Sequence, residues 1–141
     1  MRIIGFNFTK ISAAKLKTSA VKIDIKSNIH IDSIKLLSSD LLKEEHILSI
    51  DFDYTIDYTP DLAQISFQGG LLISVEESLS KQILKTWEEK GSINSEIRPL
   101  IFNTIFTRAN IKALDLEQEI NLPPHIPMPK ISINSEDTQK E

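Results

Sequence analysis

Between Leu48 and Tyr58 the chain alternates without a fault. Leu48, Ile50, Phe52, Tyr54, Ile56 and Tyr58 hold the even positions, and Ser49, Asp51, Asp53, Thr55 and Asp57 the odd ones. Successive side chains of a strand leave on opposite sides of a sheet, so the pattern dictates one apolar face and one acidic face. A helix cannot use it, because a period of two scatters the apolar residues around a turn of about 3.6 residues. The chain is therefore built around a two-faced sheet whose apolar side needs a cover.

Neighbouring segments extend that sheet. Ile4, Phe6 and Phe8 alternate with Gly5, Asn7 and Thr9, giving a first strand with its apolar face on even positions. Val21, Ile23, Ile25, Ile29 and Ile31 face Lys22, Asp24, Lys26, Asn28, His30 and Asp32, a second strand over 20–37 with a bend near Ser27-Asn28. Residues 36–45 read as a connection, in which Ser38-Ser39-Asp40 caps one helical turn over 41–45. Thr59-Pro60-Asp61 supplies turn chemistry, and Ala63, Ile65, Phe67, Leu71, Ile73 and Val75 return on one parity, so the two runs form a hairpin. Gly69-Gly70 inside the return strand marks a bulge or a close backbone approach.

Helical spacing takes over after Val75. Glu76 and Glu77 suit a helix N-terminus; Leu79, Ile83 and Trp87 recur every fourth residue; Gly91 closes the element. A longer helix opens at Pro99, with Ile101, Ile105, Ala109, Ala113, Leu116 and Ile120 as its apolar stripe and Phe102, Phe106 and Leu114 broadening it. Prolines at 123, 124, 127 and 129 make 122–129 an extended strap. Strands grouped first and helices last predict an α+β fold: a four-stranded antiparallel sheet followed by two C-terminal helices on one face. Residues 1–131 form one domain, and 132–141 a flexible polar tail.

Composition narrows the function. With 16 Lys and Arg against 20 Asp and Glu, the net charge of -4 disfavours nucleic acid as a partner. The absence of cysteine removes thiol chemistry and thiolate metal sites. No run approaches the roughly 20 apolar residues of a membrane span, and the N-terminus lacks a signal-peptide pattern, so the expected location is cytoplasmic. There is no Gly-x-Ser-x-Gly elbow and no phosphate loop. His30, His46 and His125 are scattered, without a carboxylate or second histidine at ligand spacing. Asp51, Asp53 and Asp57 lie on a straight strand, which lacks the tight loop of a calcium site, and read as a solvated face opposite Lys22 and Lys26. The reading is a protein without enzymatic activity, cofactor or metal. Its apolar sheet face, broad second helix and strap offer more hydrophobic surface than one small sheet hides, so copies associate or an apolar groove stays open.

The order of these segments resembles the SecB export chaperones. The resemblance rests on Phe6-Asn7-Phe8, on Val21-Lys22-Ile23-Asp24-Ile25, and on the hairpin ending Phe67-Gln68-Gly69-Gly70-Leu71. Pro99 before the long helix and Leu122-Pro123-Pro124 after it complete the pattern, which covers residues 3–128. Residues 36–45, 76–91 and 125–129 depart from it. The resemblance implies an ATP-independent holdase that binds unfolded or extended polypeptides. It also implies assembly into a dimer or tetramer and handover of some clients to the SecA motor. A polypeptide groove is then expected at Phe6, Phe8, Phe102, Phe106, Leu122, Ile126 and Met128. Asp51, Asp53 and Asp57 are expected to dock a translocation or other protein partner. Ala109 and Ala113 suit a close subunit contact along the long helix. The alternative is an adaptor that binds one folded partner through the acidic face or the Pro-rich strap.

Overall fold

The computed structural model describes residues 1–17, 22–40 and 45–129. Four strands, β1 (Arg2–Lys15), β2 (Asp24–Asp40), β3 (Glu45–Thr59) and β4 (Ala63–Glu76), precede helices α1 (Glu77–Lys90) and α2 (Arg98–Glu119). The sheet is antiparallel throughout, in the order β1-β4-β3-β2. Residues 41–44, where a helical turn was expected, and the tail from 130 lie outside the described residues.

The alternating run becomes central strand β3, paired with β4 from Glu45↔Glu76 to Tyr58↔Ala63 without a slip. All six of its even-numbered apolar side chains are buried under the helices, as are the odd-numbered ones of β4. Each such burial contributes roughly 1.5–3 kcal/mol, which makes this hairpin the thermodynamic centre of the fold. The tight turn between the strands is closed by Leu62 N–H donating to Tyr58 O at 2.9 Å, with Asp61 at φ 46°.

The edge strands depart from simple alternation. Pairing of β1 with β4 skips Ile4 and Thr9, and pairing of β2 with β3 skips Asp32 and Leu37. Each skipped residue reverses the parity that follows. Ile3, not Ile4, therefore joins the core, while Ile4 is 43% exposed. The bend expected at Ser27-Asn28 is replaced by these two bulges, and β2 runs on through 36–40, which is strand rather than connection. Lys22 lies outside the strands. Lys26 stands opposite Asp57, yet among the described residues no lysine forms an ion pair with Asp51, Asp53 or Asp57.

Gly69 is a close approach rather than a bulge. A Cβ there would collide with the carbonyl of Asn7 and press on the Phe52 ring at 3.0 Å. The glycine thus leaves room for the tip of the Phe52 ring against β4.

The helices cover the apolar face. Helix α1 carries a Glu77–Lys81 ion pair at 3.0 Å in its first turn and ends at Gly91, whose φ of 64° and N–H bond to Trp87 O make the left-handed cap that glycine favours. Ser80 and Ile83 are its fully buried residues, and His46 Nδ1 meets Ser80 Oγ at 2.9 Å, tying α1 to β3. Ile93 and Ile97 plug the link to α2. Helix α2 buries Ile101, Ile105, Ala109, Ala113 and Glu117, with Leu116 and Ile120 half-buried beside them. The two alanines lie against the chain's own sheet and are inaccessible, which corrects the expectation that they form a subunit contact.

Candidate polypeptide-binding site

The aromatic residues expected in a groove converge on one tract. Phe6 meets Phe8 edge-on at 5.1 Å between centroids and Phe52 at 5.6 Å; Phe8 reaches Phe67 at 5.3 Å. Phe67 stacks on Tyr54 at 6.2 Å, Tyr54 takes the edge of Phe106 at 5.7 Å, and Phe106 meets Phe102 at 6.3 Å. Phe52, Phe67 and Tyr54 are the buried floor, while Phe6, Phe8, Phe102 and Phe106 are half-buried and come to the surface. Edge-to-face and offset geometries of this kind add to the burial of the rings themselves.

Helix α2 divides the tract. Arg108 reaches Phe6 on β1, whereas Phe106 and Asn110 reach Tyr54 on β3, two strands away. Phe6 and Phe8 therefore belong to one flank of the helix, and Phe102 and Phe106 to the other. Guanidinium groups cover the outer rings on both flanks: Arg108 lies 5.2 Å from the Phe6 centroid and Arg98 5.2 Å from that of Phe102.

The strap residues are positioned separately, by a buried polar knot. His125 Nδ1 lies 2.8 Å from Glu117 Oε2, and its Nε2 lies 2.8 Å from Asn110 Oδ1. Tyr58 O–H donates to Glu117 Oε2 at 2.8 Å and shares its proton with Pro123 O; Tyr54 O–H donates to Asn110 Oδ1 at 2.9 Å. The His125 backbone N–H completes the set on Glu117 Oε1 at 3.3 Å. The side chains of Glu117 and His125 are 2% and 1% exposed. Both imidazole nitrogens thus lie within hydrogen-bond distance of side-chain oxygens of α2. Burial, then the hydrogen bond and the charge of Glu117, push the Tyr58 phenol far above its usual range, and burial raises Tyr54 likewise. Both hydroxyls thus stay donors.

This knot corrects the view of His125 as lacking a carboxylate partner: eight residues of separation close in space because Asn121, at φ 57°, turns the chain back over α2. Of the strap residues, Leu122 is buried, Ile126 half-buried and Met128 48% exposed. Sequence reasoning missed the two arginines and Glu117. Arg98 was legible as the i−4 neighbour of Phe102, and Glu117 as the fourth step of a stripe running 101, 105, 109, 113.

The opposite sheet face is acidic, as expected. Asp51 accepts from Ser33 Oγ at 2.9 Å and Asp57 from Gln64 Nε2 at 2.8 Å, while Asp53 Oδ1 is buried without a partner. Asp32, on the β2 bulge, has its carboxyl raised by burial first and then by its hydrogen bond to Asp53. His30 sits 3.5 Å from Asp32 at the surface. Among the described residues no group of acidic and histidine side chains is arranged to hold a metal, and no helix is long and apolar enough to cross a membrane.

No family model and no curated protein matches the chain. Among solved structures, it is similar to the SecB-like chaperone Rv1957 of Mycobacterium tuberculosis, determined in complex with a ChAD peptide from the antitoxin HigA1 (Rv1956). Identity is 16% over 93% of this chain and 90% of that one, with a TM-score of 0.42.

Proposed function

We propose that the protein is an ATP-independent holdase that binds extended segments of non-native polypeptides, without catalysis or cofactor. The carrying observation is the aromatic tract, whose Phe6, Phe8, Phe102 and Phe106 come to the surface on both flanks of α2 while their floor is sealed. Half-buried rings on a rigid floor offer apolar contact area at little ordering cost, which suits segments of many sequences. Binding the unfolded chain lowers its free concentration and so slows aggregation by mass action. Ile126 and Met128 extend this surface at the strap. Exposed Ile4 and Leu16 on and beside β1, and Leu36 and Leu37 on β2, supply the apolar surface for a homo-oligomer.

The test is suppression of light scattering when a chemically denatured client is diluted into the protein. Substoichiometric protein should lengthen the aggregation lag, and Phe102→Ala with Phe106→Ala should shorten it again. An unchanged lag at every ratio would rule the holdase reading out. The adaptor reading draws on the acidic ledge of Asp51, Asp53 and Asp57, with its unpartnered Asp53 oxygen. It predicts one stoichiometric complex with a folded partner and no effect on aggregation. The strap is the weaker docking element, because Glu117 and His125 commit it to its own domain.

A further inference from the structure

We infer that the flank of α2 facing β1 selects extended segments in which carboxylates alternate with apolar side chains. This inference rests on the holdase reading and names its client class.

Charge is partitioned in this acidic chain. Residues 1–17 and 98–114 contain Arg2, Lys10, Lys15, Lys17, Arg98, Arg108 and Lys112 and no Asp or Glu, although the whole chain has 20 acidic residues. Those two stretches are β1 and most of α2; the register turns Arg2 and Lys10 to the acidic sheet face and Arg98 lies over Phe102 on the far flank, which leaves Arg108, Lys112 and Lys15 on the β1 side of α2. Lys112 is held by Asp115 at 3.3 Å; among the described residues no carboxylate forms an ion pair with Arg98, Arg108 or Lys15. Lys15 instead spends its ammonium on the Asn121 carbonyl at 3.2 Å. The acidic residues of the sheet project from the opposite face, so they do not neutralise this flank.

The flank is also apolar. Ile11, on the core-facing parity of β1 with Phe6, is 42% exposed, and Arg108 also borders a shallow hollow of about 320 Å3 on α2 itself, lined by Leu100 (37% exposed), Asn103, Thr104 and Thr107. A guanidinium lying over a ring keeps its N–H donors free at its edge, so Arg108 can take a carboxylate bidentately without leaving Phe6. An extended segment places every second side chain on one side. Apolar residues at that spacing follow β1 past Phe6 and Ile11, with carboxylates turned to Arg108. A lysine at the same place meets uncompensated like charge. A second copy of this chain fits poorly, because its own flank carries the same sign.

The experiment is calorimetric titration of the full chain with two unstructured peptides of equal length and identical apolar residues, one alternating with Glu and the other with Lys. At about 0.05 M NaCl the Glu peptide should bind about tenfold tighter, and the preference should shrink at about 0.5 M. Arg108→Gln should remove most of the preference and Arg108→Glu invert it, with Lys112→Glu as a second variant on the same flank. Each variant is checked by its melting temperature. Equal or tighter binding of the Lys peptide, binding of neither, or indifference to Arg108→Glu overturns the inference. So does displacement of the Glu peptide by an oligothymidine that binds more tightly, which would assign the flank to single-stranded nucleic acid. If the Lys peptide wins while aggregation is still suppressed, the client class falls and the holdase reading stands. If aggregation is also unaffected, both fall.

Discussion

Glu117 is the residue whose placement costs most. A carboxylate removed from water is tolerated only where donors replace the lost solvent, and here Tyr58, the His125 ring and the His125 N–H do so. Taking away one partner strands the charge. His125→Leu should cost about 3–5 kcal/mol, read as a melting temperature lower by roughly 3–5 °C for each kcal/mol. The double variant Glu117→Leu with His125→Leu should be more stable than His125→Leu alone, because the orphaned charge leaves with it. Non-additivity in that direction checks the knot, and simple addition of the two losses would refute it. Asp32 is the opposite case. Burial and the Asp53 contact raise its carboxyl in the folded state. The folded form then holds the proton more readily than the unfolded one, so this group favours folding in acid and loses that effect as pH rises through its folded value. At neutral pH two ionised neighbours repel, and Asp32→Asn should stabilise by up to about 0.5 kcal/mol, a small figure because the group is 40% exposed. Denaturation at pH 7 and in mild acid checks the sign: the gain should vanish in acid.

Strands β3 and β4 were legible because both faces are determined by burial, and the helix ends because Pro99 and Gly91 have unambiguous backbone chemistry. The edge strands were not. Nothing in Ile3-Ile4-Gly5 tells which isoleucine faces the core, since one slipped hydrogen-bond pair exchanges them at little cost on an open edge. Ser38-Ser39-Asp40 reads as a cap because its residues suit one, yet β3 supplies a partner that overrides the preference. Small residues were readable as sites of close approach, but not what approaches. For Ala109 and Ala113 it is the sheet, and for Gly69 a ring and a carbonyl. The two adjacent glycines give a sharp test. Gly69→Ala meets backbone and an aromatic ring and should destabilise by about 1–3 kcal/mol. Gly70→Ala meets first the Asp51 carboxylate at 2.9 Å, a side chain on the open face that can turn at the cost of its exposed Ser33 bond, and should cost less than about 1 kcal/mol. Urea midpoints measured side by side decide it; equal losses would mean that Gly69 is not the point of contact.

At the scale of the molecule, the sheet separates two surfaces of opposite character, and α2 splits the apolar one again. A client that uses both flanks must pass around the helix, so contributions from Phe6 and Phe106 to capture are independent and their losses add. A site confined to one flank behaves differently, with one ring dominating and the other silent. The comparison needs a control for stability, because Phe106 also supports Tyr54 and its truncation loosens the fold. Capture is therefore measured at 25 °C, well below the melting temperature of every variant, with Ile111→Ala as reference. Ile111 is 67% exposed and belongs to no aromatic contact, so its loss removes apolar area without touching the tract. Phe6→Ala and Phe106→Ala should each weaken client binding by about fivefold to tenfold, about 1–1.4 kcal/mol, and the pair by about the product, while Ile111→Ala stays near unity. If Ile111→Ala matches either phenylalanine variant, capture follows bulk surface hydrophobicity, and the tract holds no privileged place in it.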